Sequence, residues 1–188
     1  MQHLGTVRLE TERLILRRFT LDDADAMFSN WANDPEVTKF LTWQPHGSVE
    51  ETKMILSDWV KEYDRENYYQ WAIVLKENGT EPIGGISSVK NSDRKEAAHI
   101  GYCIGRKWWH QGIMSEALSA VVKFFFEEVS MNRIESSHDM SNPNSGKVMA
   151  KCGLLYEGMN REGGWNNQGV MDHVMYAILR KDYDKAHE

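Results

Sequence analysis

With 188 residues, 41% of them hydrophobic and 27% charged, the sequence has the composition of an ordinary folded domain, which argues against disorder. A net charge of −6 and the lack of a dense Lys/Arg cluster argue against a nucleic-acid partner. No apolar run approaches the roughly 18 residues that a spanning helix needs, and Met1–Glu12 lacks the apolar core of a signal peptide, so no membrane partner is expected.

Two cysteines, Cys103 and Cys152, make neither a disulfide framework nor a metal-ligand pattern. A reduced, cytoplasmic setting without a metal site is the expectation. The acidic balance suits a cationic partner such as an amine, and it equally serves solubility. Pro and Gly are scattered and no repeat is visible, so one domain is expected over residues 1–188.

In chain order, Arg13–Phe19 reads as a strand and Asp22–Asn33 as a helix with acidic residues in its first turn. Asn33-Asp34-Pro35 reads as its stop. Ser48 opens a second helix, with Glu51 placed for a capping box and Met54, Ile55, Trp59 and Val60 at helical spacing. Strands follow at Tyr69–Leu75, Ile83–Val89 and Ala97–Ile104. A long helix begins at Gly112, with apolar residues at Ile113, Ala117, Leu118, Val121, Val122, Phe125 and Val129. Ile134–Asp139 is a strand and Asn142–Lys151 a short helix, with Asn142 at the N-cap and Pro143 at the first position. Gly153 stops it. Strands Leu154–Met159 and Asp172–Leu179 flank a Gly/Asn loop, Gly163–Gly169. The order β-α-α-β-β-β-α-β-α-β-β predicts an α/β fold, a mixed sheet with helices on its faces.

The informative stretch is Tyr102–Ala117, YCIGRKWWHQGIMSEA. A strand ends near Ile104 and a short loop delivers the start of a long helix. Free N–H groups and the helix dipole make such a start an anion site. Gly112 admits close backbone approach and Ser115 adds a hydroxyl. Taken alone, a plain helix start explains these residues equally well. Neither GxGxxG nor GxxxxGK[ST] is present, which disfavours nucleotide loops.

The stretch is similar to the acyl-CoA loop of the GNAT acetyltransferases, R/Q-x-x-G-x-G/A, matched on Trp109-His110-Gln111-Gly112-Ile113-Met114. Within that superfamily the chain resembles the branch of ribosomal-protein-alanine N-acetyltransferases. The resemblance is carried by Thr11–Arg17, Gly101–Ile104, Trp108–Ala117, Asn142–Ser145 and Lys151–Gly153, and it spans about residues 7–182. Trp109 departs from Arg or Gln, His110 stands where the branch often has Gly, and Met114 replaces Gly or Ala. The resemblance implies a GNAT fold, a mostly antiparallel sheet with helices on both faces. It implies acetyl-CoA as co-substrate and no metal. The diphosphate would meet Trp109, His110, Gln111, Gly112, Ile113, Met114 and Ser115. The pantetheine arm would pair with the backbone of Tyr102, Cys103 and Ile104 and with Asn142, whose other reading is a plain N-cap. A homodimer is common in the branch.

Acetyl transfer needs a neutral amine, donors for the thioester oxygen and a proton for the leaving thiolate. A backbone N–H near Ile104 is the candidate oxyanion donor. Where many superfamily members place a tyrosine as acid, this chain has Met149. Ser145, which matches the branch's N-x-x-S serine, is the candidate to hydrogen-bond the sulfur; a serine serving a free N–H in the first helical turn is the other reading. His99 takes the place of the branch's glutamate and is the candidate base, with His138 and Asp139 as rivals. A structural strand histidine remains the bland alternative. An α-amine titrates near ~7.7–8.0, whereas a lysine side chain near ~10.4 costs more than about 4 kcal/mol to deprotonate at pH 7. The missing carboxylate base therefore favours an α-amine, such as a protein N-terminus. The alternatives are a small amine (polyamine, amino acid or antibiotic) and a non-catalytic acyl-CoA-binding module. Trp31, Trp43, Trp59 and Trp71 either line an acceptor groove or pack the core.

Overall fold

The computed structural model describes residues 1–187, the Asn78 side chain excepted. Its strands are β1 (Leu9–Glu10), β2 (Leu14–Arg17), β3 (Gln70–Leu75), β4 (Pro82–Ser92), β5 (Ala97–Ile104), β6 (Arg133–Asp139), β7 (Leu155–Asn166) and β8 (Gly169–Leu179). They form one sheet in the order β1-β2-β3-β4-β5-β6-β8-β7. Every neighbouring pair is antiparallel except β5 and β6. A parallel pair needs a crossover, and here α4 (Ile113–Glu127) supplies it.

The main core lies between α4 and the sheet. Val121, Phe125 and Leu118 of α4 are fully buried with Leu14, Leu16, Ile73, Ile86 and Ile134 of the strands. Tyr69 and Trp71 meet Phe124 and Phe125 with ring centroids 4.8–6.1 Å apart. α5 (Pro143–Lys151) joins this layer through buried Met149. A smaller core covers the opposite face, where Phe19, Trp31 and Ala72 pack with Met27 of α1 (Ala24–Met27) and Leu56 of α3 (Val49–Glu62). Trp71 is thus a core residue alone, whereas Trp31 of the second core and Trp43 and Trp59 at its rim also line a cavity.

Most expected elements are present, and the departures have local causes. Asp34 does not only stop a helix. Its carboxylate accepts from Glu36 N at 2.9 Å and caps a further short helix, α2 (Pro35–Thr38). Ser48 caps α3 as expected, but Glu51 reaches back to Gly47 N at 2.6 Å, one residue before the cap. The Gly163–Gly169 loop is mostly strand. β7 runs to Asn166, and a bulge between Asn160 and Gly164, with Glu162 at φ 50°, absorbs the irregular sequence. A last helix, α6 (Arg180–His187), was not expected. Its polar sequence is anchored by buried Tyr183, which packs on Phe126 at 4.9 Å.

The β7–β8 turn is tied to the segment that joins α2 and α3. Asn167 donates from Nδ2 to Thr38 O at 2.8 Å and Trp43 O at 2.7 Å, and from its backbone to Leu41 O at 2.9 Å. Next to it, buried Asn166 donates to Asp139 Oδ2 at 2.7 Å, which secures the turn to the end of β6.

Two stability predictions follow from this packing. A Cβ on Gly84 would lie 2.5 Å from Cys103 O and 2.9 Å from Ile104 Cα, both backbone. Gly84→Ala should therefore lower stability in a urea melt by about 1–3 kcal/mol, the usual cost of overpacking. Asn167→Ala removes three side-chain hydrogen bonds, two given to Thr38 O and Trp43 O and one accepted from Gln168 Nε2, and should cost about 1–3 kcal/mol, with faster hydrogen exchange across residues 38–44. Unchanged exchange there would show that the tie does not hold the segment.

Candidate active site

β5 and β6 pair only from Ala97↔Arg133 to Ile100↔Ser136. Beyond that point β5 continues along β4 to Ile104, and β6 continues along β8 to Asp139, so the two parallel strands part. Ser136 Oγ donates to Ile100 O at 2.7 Å, at the last paired position. Ladder alternation then decides which backbone groups are free. Gly105 N donates to Ile83 O, and Cys103 stands opposite Gly85, so the backbone of Cys103 faces β4. The backbone groups of Tyr102 and Ile104 face the opening instead. Of the three residues expected to pair with an extended ligand, Tyr102 and Ile104 are placed for it and Cys103 is not. The Cys103 side chain lies on the opposite face with the smaller core, where burial pushes its thiol up to about 12.

The mouth of the opening is the start of α4. Gly112 adopts φ 74° and His110 φ 60°, both left-handed. A glycine adopts that region freely and His is among the side chains that tolerate it, which explains how His110 occupies a position suited to Gly. Trp109 Nε1 donates to Ile104 O at 2.8 Å and ties the loop to the end of β5. Gln111 Nε2 donates to Lys107 O, and Gln111 O accepts from Arg13. Ile113, Met114 and Ser115 are buried in the first turn. Among the described residues, none of the backbone N–H groups from His110 to Ser115 donates a hydrogen bond within the protein. Six adjacent donors thus lack an acceptor at the positive end of a 15-residue helix. Lys151 Nζ and Arg13 Nη2 lie 3.8 and 3.7 Å from a Cβ built on Gly112; Lys151 adds charge, while the Arg13 guanidinium is also ion-paired through Nε with Glu116 at 2.6 Å.

α5 supplies the other wall. Asn142 precedes its first residue, but the side chain makes no capping bond, so it is free to meet a ligand. Ser145 does not serve a backbone N–H. Its Oγ lies 3.0 Å from the Tyr102 hydroxyl, whose single proton is given to Ser145 O at 2.9 Å. Burial raises the Tyr102 pKa, so the phenol stays neutral. Met149 is fully buried and packs the core.

These walls enclose a cavity of about 1000 Å³ that passes between the parted strands to the face carrying α1 and α3. His99, Ser137, Asp139 and His173 line that side. His99 lies opposite Glu135 in the ladder, and His173 lies opposite Asp139. His99 Nδ1 is 3.4 Å from Glu135 Oε1 and Nε2 is 3.0 Å from Ser137 Oγ. Burial lowers the His99 pKa against the opposing pull of Glu135, so its imidazole is neutral at pH 7. His173 is also lowered, by burial and then by His99 and His138. His138 is otherwise engaged: Nδ1 lies 2.7 Å from Asp139 O, and the ring packs on Gly146 of α5. Both Asp139 oxygens accept hydrogen bonds, from Ser141 N and Asn166. Glu135, Ser137 and His173 escaped the sequence reading. The only signal for them is strand alternation, which places Glu135 and Ser137 on one face of β6.

Among the described residues, no three His, Cys, Asp or Glu side chains gather in a metal-holding group, and no helix is long and apolar enough to cross a membrane.

Comparison with known proteins agrees with this geometry. Residues 13–155 match the family model described as an acetyltransferase (GNAT) domain. The uncharacterized N-acetyltransferase p20 of Bacillus licheniformis is 30% identical over 177 residues, covering 93% of this chain and 97% of that protein. The ribosomal protein uS5-alanine N-acetyltransferase of Escherichia coli (strain K12) is 27% identical, covering 94% and 93%. A solved structure of RimL, a ribosomal L7/L12 alpha-N-protein acetyltransferase in complex with coenzyme A, superimposes with a TM-score of 0.81 at 22% identity, covering 92% of this chain and 98% of that one. With its parted parallel strands and matching sequence, the chain belongs to the GNAT acetyltransferase family and is an N-acetyltransferase.

Proposed function

We propose that this chain, as one domain, moves an acetyl group from acetyl-CoA to a primary amine by direct attack, with a protein N-terminal α-amine as its acceptor. The observation that carries the reading is the gap between β5 and β6, which opens onto the unbonded N–H groups of residues 110–115. An extended pantetheine arm fits such a gap as a short extra strand, using the backbone of Tyr102 and the side chain of Asn142, while the Ile104 carbonyl stays with the Trp109 indole. Each N–H pointing at a phosphate gains from the helix dipole as well as from the hydrogen bond, and Arg13 and Lys151 supply countercharge. The Ile104 N–H is the donor for the developing oxyanion, and Ser145, anchored by Tyr102, is the donor for the departing thiolate.

The choice of an α-amine rests on two supports. The histidines of the acceptor side are held neutral, and Asp139 has both oxygens occupied, so this wall carries weak bases that match an amine already partly neutral at pH 7. The similarity to a uS5-alanine N-acetyltransferase points the same way. Cys103 and Cys152 are both free thiols, in keeping with a cytoplasmic setting.

Calorimetry should detect acetyl-CoA binding, and thiol release should depend on added amine, with N-terminal peptides ahead of polyamines and amino acids. No binding at millimolar acetyl-CoA would sink the reading. Gly112→Asp places a carboxylate beside the unbonded N–H groups and should weaken acetyl-CoA by about tenfold or more, roughly 1.4 kcal/mol. Ser145→Ala should lower kcat by about a hundredfold while acetyl-CoA affinity holds; an unchanged kcat would remove Ser145 from proton transfer.

A further inference from the structure

We infer that the proton shed by the acceptor amine leaves through Ser137 to His99, with Glu135 as the residue that positions the imidazole. The inference rests on the acetyl-transfer reading above and adds the route by which the nitrogen loses its proton.

The geometry is a chain of contacts that runs from the cavity towards the surface. Ser137 lines the cavity. Its Oγ is 3.0 Å from His99 Nε2, and His99 Nδ1 is 3.4 Å from Glu135 Oε1. Glu135 Oε2 in turn accepts from Arg133 Nε at 2.8 Å, and Arg133 is paired with Glu157 on β7. The sheet produces this order. His99 stands beside Glu135 on the neighbouring strand, and Ser137 is two residues further along β6 on the same face. A carboxylate accepting from Nδ1–H fixes the tautomer and leaves the Nε2 lone pair for the serine hydroxyl. Arg133 keeps the carboxylate ionised: burial opposes its charge, but the hydrogen bond and attraction of Arg133 and His99 outweigh burial.

His99 borders the cavity, but not with a free nitrogen. Both ring nitrogens are occupied, and it meets the acceptor through Ser137. In the reaction, the amine lone pair forms the N–C bond to the acetyl carbon, and collapse of the tetrahedral adduct breaks the C–S bond. The amine proton passes to Ser137 Oγ as the Ser137 proton passes to His99 Nε2, giving an imidazolium opposite Glu135. The thiolate takes a proton from the Ser145 hydroxyl, and solvent restores both residues. The sum is one amide and one thiol, with no net proton.

His99 titrates among Glu135 and Arg133 of β6, Lys90 of β4 and His173 of β8. The neutral imidazole is the active form, so kcat should fall as pH drops through a value below the ordinary imidazole pKa of about 6.5.

The test measures kcat, acetyl-CoA affinity by calorimetry and the pH profile of the full chain with a peptide acceptor. His99→Gln should lower kcat about a hundredfold and remove the limb that lies below about 6.5, leaving only the limb of the acceptor α-amine itself. Ser137→Ala should lower kcat comparably, and Ser137→Thr, which restores a hydroxyl, should recover most of the loss. Glu135→Gln should move the limb to lower pH, because the imidazolium loses its counter-charge. Acetyl-CoA affinity near the parent value certifies the fold of each variant; for any variant that loses it, the parent's own limb and the Ser137→Thr rate decide. Parent-like kcat in Ser137→Ala, or loss of the limb in His173→Gln with its retention in His99→Gln, overturns the relay. A parent enzyme that binds acetyl-CoA yet acetylates no amine overturns the acetyl-transfer reading instead.

Discussion

Two parallel strands that bond for four residues and then separate govern the rest of this molecule. Separation leaves backbone groups without their usual partners, and unpaired backbone is costly unless something else takes the load. Here side chains hold the gap open. Ser136 Oγ meets the carbonyl of Ile100 and the Trp109 indole meets that of Ile104. Tyr102 bridges to α5, so the far wall is set at a fixed distance from β5. The rigid parts stand behind it: α4 and the aromatic cluster of Tyr69, Trp71, Phe124 and Phe125 fix β5 from one face.

The gap also separates two kinds of chemistry. On the α4 side the site offers fixed donors, namely backbone N–H groups and the cations Arg13 and Lys151, which suit a polyanion. On the opposite side it offers neutral imidazoles, hydroxyls and half-buried tryptophans, which suit an amine that must shed a proton. The two halves meet where the strands diverge.

The sequence carried the strand and helix start that border the N–H array clearly, because they are local. β5 occupies the predicted residues Ala97–Ile104, and α4 begins one residue after Gly112. Both follow from hydrophobic period and a glycine. The acceptor half is spread across β5, β6 and β8, and its contacts depend on register. The run Ser136-Ser137-His138-Asp139 does not say which side chains face α4, so Ser137 and Glu135 could not be paired with His99 in advance. The hairpin misled for a different reason. Gly163, Gly164 and Asn166 carry a loop composition, yet pairing with β8 and one bulge keep them in a strand. α6 was invisible because its sequence is mostly polar and only Tyr183 is buried there.

The tie made by Asn167 carries an evolutionary consequence. It joins two surface segments, residues 38–44 and the β7–β8 turn, that share no residue with the helix start holding the N–H array. Changes of length or sequence in either segment can reshape the rim of the cavity while the N–H array stays intact. A scaffold divided in this way can vary one rim of its cavity by exchanging two short loops, with the costly architecture of parted strands inherited unchanged.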